Sequence, residues 1–170
     1  MIQFTEDLNY LLGYPYGCIE QTVSKAFPQI YFHDLVKSIG HKKMQRSNPN
    51  YNVQEAIRKI QTMQLYDGSL AYWPGGSRAS WWSTVYAAHF LSEAKKAGFE
   101  LDAKILDRIY SYLEKKVKNK KTEKYYYYDE SGIYRSKKIA PKEIFYSLYV
   151  LTMAGKRDLS TMNYYKSRTD

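Results

Sequence analysis

Four apolar stripes at helical spacing, each ended by turn or breaker residues, restrict this chain to an all-α fold. Val53, Ala56, Ile57, Ile60 and Met63 recur with the helical period up to Leu65 and stop at Asp67-Gly68. From Trp81, the residues Val85, Ala88, Phe90, Leu91, Ala94 and Ala97 repeat the pattern as far as Gly98, which suits a left-handed C-cap. Asp102 stands where a cap is needed for a third stripe of Ile105, Leu106, Ile109, Tyr112, Leu113 and Val117. Pro141 at a first-turn position opens a fourth through Ile144, Phe145, Leu148, Tyr149, Leu151 and Met153 to Gly155. Two of these helices resemble each other: Tyr86 to Ala94 and Tyr146 to Ala154 align without a gap and are rich in small residues. Small residues let helices approach closely, as they do where helical hairpins stack around a common centre.

The connecting stretches are less regular. Glu20 to Ala26 reads as a short helix broken near Pro28, which lacks an N–H and disfavours helix before it. Ile30, Leu35, Val36 and Ile39 give a second segment one apolar side, ended by Gly40 and flanked by His33 and His41. Asn52 is the expected N-cap of the next helix, with Glu55 completing a capping box. Leu70 to Gly76 is an aromatic, glycine-rich connection too broken for a strand. Between Lys118 and Ala140 the helical rhythm lapses. Tyr125 to Tyr128, the turn residues Asp129-Glu130-Ser131-Gly132, and Ile133-Tyr134-Arg135 fit a small β-hairpin over 125–135. The four tyrosines suit either a stacking or carbohydrate platform or packing against helix ends. The polar tail from Asp158 is expected to fray or to mark a truncation.

At 170 residues and 20.0 kDa the chain reads as one domain, 1–170, able to bury about two-thirds of its unfolded surface. No apolar run is long enough to cross a bilayer, and Met1-Ile2-Gln3 shows no secretory h-region, as expected of a piece of a larger multidomain protein. A membrane anchor would then lie outside this piece. The net charge of +9 raises the question of nucleic acid, but the lysines gather in Lys115 to Lys124, at a helix end and the loop beyond it, and no nucleic-acid-binding signature is present. Nucleic acid is therefore not an expected partner. No cofactor is called for. The histidines lack second ligands at metal spacing, so no metal is expected, and His89 between apolar neighbours reads as packed.

The chemistry is concentrated in Tyr14-Pro15-Tyr16-Gly17-Cys18-Ile19-Glu20-Gln21. It holds the only cysteine, which excludes an intrachain disulfide. Cys18 and Gln21 are three apart, which on a helical turn places a thiol and a carboxamide on one face. Attack of the sulfur on the side-chain carbonyl with loss of ammonia would give an internal thioester. A thiol pKa near 8.5 makes thiolate a far better leaving group than an alkoxide or amide, so such a bond stores acylating power. Gly17 allows backbone conformations that a side chain would forbid where the ring closes.

These residues resemble the thioester domain of the alpha-2-macroglobulin and complement family, whose signature is Gly-Cys-x-Glu-Gln after a Pro-Tyr or similar pair. Gly17, Cys18, Glu20 and Gln21 match it, with Pro15 and Tyr16 in front. The likeness continues in Ala26-Phe27-Pro28-Gln29-Ile30-Tyr31, Tyr66-Asp67-Gly68-Ser69 and Tyr72-Trp73-Pro74-Gly75-Gly76, and Ile19 and Thr22 look more like the bacterial branch. The resemblance implies an α/α-toroid, here partial because family domains carry about twice as many helical hairpins, and self-association would complete the ring. It also implies a periplasmic or cell-surface protease trap: bait cleavage elsewhere in the full protein exposes the bond, and a lysine amine of the target protease captures the Gln21 acyl group in a single turnover. Tyr14, Trp73, Trp81 and Trp82 are candidate shields against water, with ordinary packing as the alternative. Complement-like members pass the acyl group through a histidine; Lys118 to Ala140 contains none, which implies preference for amines. Two other classes remain open. Gln64 to Gly68 with Trp73 also looks like the repeat of terpene cyclases and prenyltransferase β subunits, and a non-catalytic helical module could display tyrosines to a protein or glycan.

Overall fold

The computed structural model describes residues 14–39 and 48–166, with the side chains of 32–39 set aside. Among these residues are six helices and one antiparallel hairpin. Contacts group the chain into two compact units, Met1–Ile109 and Tyr110–Asp170.

In the first unit α1 (Ile19–Ile39) packs on α2 (Pro49–Gln61) and on α3 (Trp81–Lys96). The stripes meet as their spacing requires: Ile19, Val23 and Ala26 of α1, Val53, Ala56, Ile57 and Ile60 of α2, and Val85, Phe90 and Leu91 of α3 are all fully buried. Each large side chain so buried contributes about 1.5–3 kcal/mol. Phe27 stands edge-on to Phe90 and to His89, and burial holds the His89 imidazole below its ordinary range. The first turns of α4 (Ala103–Lys118) close the unit, with Lys104 N donating to Asp102 Oδ1 at 2.9 Å as the cap required.

Two expectations fail here for the same reason. α1 does not break at Pro28 but continues to Ile39. Proline removes only the bond that residue 28 would give to the Ser24 carbonyl, and Ser24 is exposed, so water can replace it. One residue on, Gln29 bridges two helices: its Nε2 donates to Lys25 O at 3.0 Å, and its Oε1 accepts from Asn52 Nδ2 at 2.9 Å. Asn52 is therefore a buried member of α2 and not its cap. Asn48 is the cap, accepting from Tyr51 N at 3.0 Å, with Pro49 in the first turn where its missing N–H costs nothing. Gly40 and His41 lie outside the described residues.

The connection from Met63 to Ser80 is held by isolated bridges, Gln64 to Leu70 and Ala71 to Ala79. Gly68 (φ +89°) presses on Arg108, whose carbonyl carbon would lie 2.8 Å from any added Cβ. Arg108 Nη2 donates to Leu65 O at 2.9 Å, and Leu70 N donates to Thr84 Oγ1 at 2.9 Å. These bonds fix where Tyr72 emerges.

The second unit contains the rest of α4, the hairpin β1 (Glu123–Tyr128) and β2 (Tyr134–Ile139), α5 (Lys142–Met153) and α6 (Leu159–Lys166). The hairpin is longer than its turn signal suggested and pairs Tyr126 with Ser136 and Tyr128 with Tyr134. Within the described residues the tail from Asp158 is helical as far as Lys166. Asp158 caps α6 through Thr161, and fully buried Tyr165 donates its hydroxyl to Lys121 O at 2.7 Å. The repeated helices keep their register: Ala87, Ala88, Phe90 and Leu91 are buried, and so are Ser147, Leu148, Val150 and Leu151. Both end in the same paired cap, Phe99 N to Ala94 O and Lys156 N to Leu151 O, around glycines at φ +88° and +78°.

Candidate functional site

α1 begins at Ile19, so Cys18 occupies the N-cap place, and its carbonyl accepts the first helical bond from Thr22 N at 2.9 Å. Gln21 is then the third helical residue, from which a glutamine can reach back to the cap. It does so: Cys18 N donates to Gln21 Oε1 at 3.1 Å. The carboxamide is therefore folded over the turn that carries the thiol. Gly17 makes this possible. Its φ of +102° suits glycine, and a Cβ there would lie 2.8 Å from Gln21 Cδ and closer still to Oε1. Cys18 is buried, whereas Gln21 is exposed.

Residues distant in sequence complete the surroundings. Lys59, in the last turn of α2, donates from Nζ to Gly17 O at 2.7 Å and to Pro15 O at 3.3 Å. Thr22 Oγ1 donates to the same Pro15 carbonyl at 3.4 Å. Partial burial pushes the Lys59 ammonium below its ordinary range, and attraction to the Cys18 sulfur opposes that. Tyr72 is tied in by its backbone, which accepts from Ile19 N at 3.0 Å. Its hydroxyl donates to Glu20 Oε2 at 3.5 Å, and the Cys18 sulfur lies near enough to act on it. The neighbouring Cys18 sulfur, partial burial and Glu20 together push that hydroxyl up to about 12. Glu20 Oε1 accepts from Ser83 Oγ at 3.3 Å, which links the motif to α3.

The candidate shields are spread out. Tyr14 is half-buried, 4.3 Å from Tyr16 and 6.4 Å from Tyr51 between ring centroids, with its hydroxyl donating to Glu55 Oε2 at 3.4 Å. Pro15 is buried and Tyr16 exposed. Trp73 is exposed and edge-on to Tyr72 at 5.8 Å. Trp82 stacks on Tyr86, whose hydroxyl meets Ser24 Oγ at 3.2 Å, and Trp81 is half-buried. Tyr72, whose hydroxyl feels the Cys18 sulfur, is not among the expected shields. Its place in the broken Leu70 to Gly76 connection gave no periodic signal, and Lys59 looked like any basic residue near a helix C-terminus.

The arrangement suits acyl chemistry on the Gln21 carbonyl. Its oxygen already accepts an N–H at the positive end of a helix, where charge developing on it during attack is stabilised.

The profile of the A-macroglobulin TED domain matches residues 1–152. The chain belongs to this thioester-domain family. The TED domain is 31% identical over 108 residues to alpha-2-macroglobulin of Xylella fastidiosa strain Temecula1, a stretch covering 63% of this chain and 7% of that protein. It is 30% identical over 99 residues to the Escherichia coli alpha-2-macroglobulin, 58% of this chain and 6% of that one. Among solved structures it resembles trypsin-activated alpha-2-macroglobulin from E. coli, with a TM-score of 0.69 at 20% identity over 91% of this chain and 10% of that one. Salmonella alpha-2-macroglobulin reacted with methylamine gives 0.69 at 24% identity over 94% of this chain and 10% of that one. The TED domain accordingly has the α/α-toroid fold, with a small two-stranded hairpin, and spans about a tenth or less of these relatives.

Proposed function

We propose that this chain is the thioester module of a bacterial alpha-2-macroglobulin-type protease inhibitor, and that Cys18 and Gln21 form its reactive bond. The reading rests on the Gln21 carboxamide, folded back onto Cys18 N at 3.1 Å over a glycine that leaves it room. The Cys18 thiol adds to Gln21 Cδ, ammonia leaves with the thiol proton, and a thioester remains. An amine of a captured protease then adds to the same carbon, an amide forms, and Cys18 is released as a thiol. The cycle runs once, so the module is a covalent trap and not a catalyst. That the Salmonella relative was reacted with methylamine favours amines as acceptors.

Glu20, held by Ser83 and Tyr72, and Gly17 support the turn, while Tyr14, Pro15 and Tyr16 cover its entry. Target proteases are met through the rest of the full-length protein, in the periplasm or at the cell surface. Intact-mass measurement tests the bond. A deficit of about 17 Da, one ammonia, is expected, and should be absent from Cys18→Ala. Methylamine should abolish the deficit, label Gln21 and free one thiol. A wild-type mass with no deficit and no methylamine uptake would overturn the proposal.

A further inference from the structure

The hairpin carries the tyrosines that the thioester chemistry leaves unused, and its two faces differ. On one face Tyr125 and Tyr127 stack on each other, Lys137 sits over the Tyr127 ring at 5.8 Å, and neighbouring Arg135 is paired with Asp129. That face supplies its own partners. The other face consists of Lys124, Tyr126, Tyr128, Tyr134, Ser136 and Lys138, as the pairings of 124 with 138, 126 with 136 and 128 with 134 require. It contains no carboxylate. Tyr126 and Tyr134 lie within 5° of parallel with centroids 5.5 Å apart, and Tyr128 adjoins Tyr134 at 5.2 Å. All three are more than half exposed, at 52%, 59% and 72% for Tyr126, Tyr134 and Tyr128. Tyr126 and Tyr128 are thus not buried against helix ends.

Three contiguous exposed rings on a six-residue ribbon make an apolar platform that ordinary surfaces avoid. Two lysines directly opposite each other border its end. We propose that this face binds an anionic polysaccharide, with sugar rings lying on the tyrosines and a carboxylate or other anionic substituent meeting Lys124 and Lys138. The platform favours a sugar over the alternatives. An acidic peptide would use the lysines but has no ring faces to lay on three tyrosines. Single-stranded nucleic acid needs cations tracking its backbone, whereas here both lysines stand at one end, and Tyr126 and Tyr134 are too close to admit a base between them. Phenol and serine hydroxyls suit the hydroxyl-rich edges of a sugar.

Calorimetric titration of the 170-residue chain with polygalacturonate, dextran, polyglutamate and oligo-dT tests this. Polygalacturonate should bind, more weakly as salt rises. Its affinity should fall about tenfold in Tyr126→Ala/Tyr134→Ala and in Lys124→Gln/Lys138→Gln. Tyr125→Ala/Tyr127→Ala, on the other face, should change it by less than about twofold. These side chains are exposed, and unchanged circular dichroism shows each variant folded. Failure of polygalacturonate to bind, equal losses from both faces, or binding of polyglutamate or oligo-dT as tight as polygalacturonate would overturn the proposal. The readout does not involve Cys18, so it stands or falls apart from the thioester.

Discussion

At the scale of single residues, Cys18 is set apart from an ordinary buried thiol by what surrounds it. A buried cysteine by itself is most often a small hydrophobe. Here a carboxamide folds over the same turn, and a phenol from the Leu70 to Gly76 connection stands near the sulfur. Held at about 12, the Tyr72 hydroxyl stays protonated through the working pH range and can donate to the sulfur as it leaves the acyl carbon. Tyr72→Phe should therefore slow methylamine incorporation about tenfold, the worth of one hydrogen bond to a charged group. Between about pH 6 and 9 the ratio of wild-type to variant rates should stay constant, because a group with a pKa of about 12 does not titrate there. Equal rates, or a ratio that changes across that range, would remove Tyr72 from the chemistry. The pairing of residues 18 and 21 was legible because it is local: three residues on a helical turn share a face. Tyr72 and Lys59 were not legible, since they reach the turn only through tertiary packing, Lys59 from 42 residues beyond Gly17.

At the scale of elements, periodicity located the helices well and their ends less well. Asn48 and Asn52 both precede apolar residues at helical spacing, and only burial distinguishes them: Asn52 donates across to Gln29, whereas Asn48 stands exposed before a proline. Pro28 misled because the rule against internal proline is local, whereas the contacts that carry α1 through it come from α2 and α3. α6 was missed because its polar sequence hides a cap and one buried ring. That cap has a pH signature. Asp158 is held below the usual carboxylate range by the Thr161 hydroxyl, then by the Thr161 N–H, with Lys118 and Lys120 contributing, against a smaller cost of burial. The folded state thus gives up this proton more readily than the unfolded chain. The resulting stabilisation is complete above the unfolded value of about 3.9 and is lost as pH falls through the folded one. Acid titration followed by amide exchange in α6 should show protection falling below about pH 4. Asp158→Asn, which can still cap but cannot ionise, should flatten that fall. The same acid dependence in both proteins would assign it to other groups.

At the scale of the whole molecule, the sequence supplied the fold class through its repeated helix, and the repeat survives in which residues are buried and how each helix ends. Charge also acts at this scale. Of the net +9, more than half comes from Lys118 to Lys142, which holds eight basic and three acidic residues. A field of that sign raises the encounter rate with acidic proteins and lowers it with basic ones, wherever on the surface the reactive carbon lies. Aminolysis by protein lysines should carry this bias, whereas aminolysis by neutral small amines should not. With acceptors of equal lysine count, capture of an acidic protein should exceed that of a basic one about tenfold at roughly 0.02 M salt, and the ratio should approach one at about 0.5 M, where the Debye length has shrunk to a few ångströms. Capture is read as the gel-resolved conjugate that forms with wild-type chain and is absent with Cys18→Ala. A ratio insensitive to salt would mean that selection among proteins is made by contact at the acyl group, and that the basic surface plays no part in it.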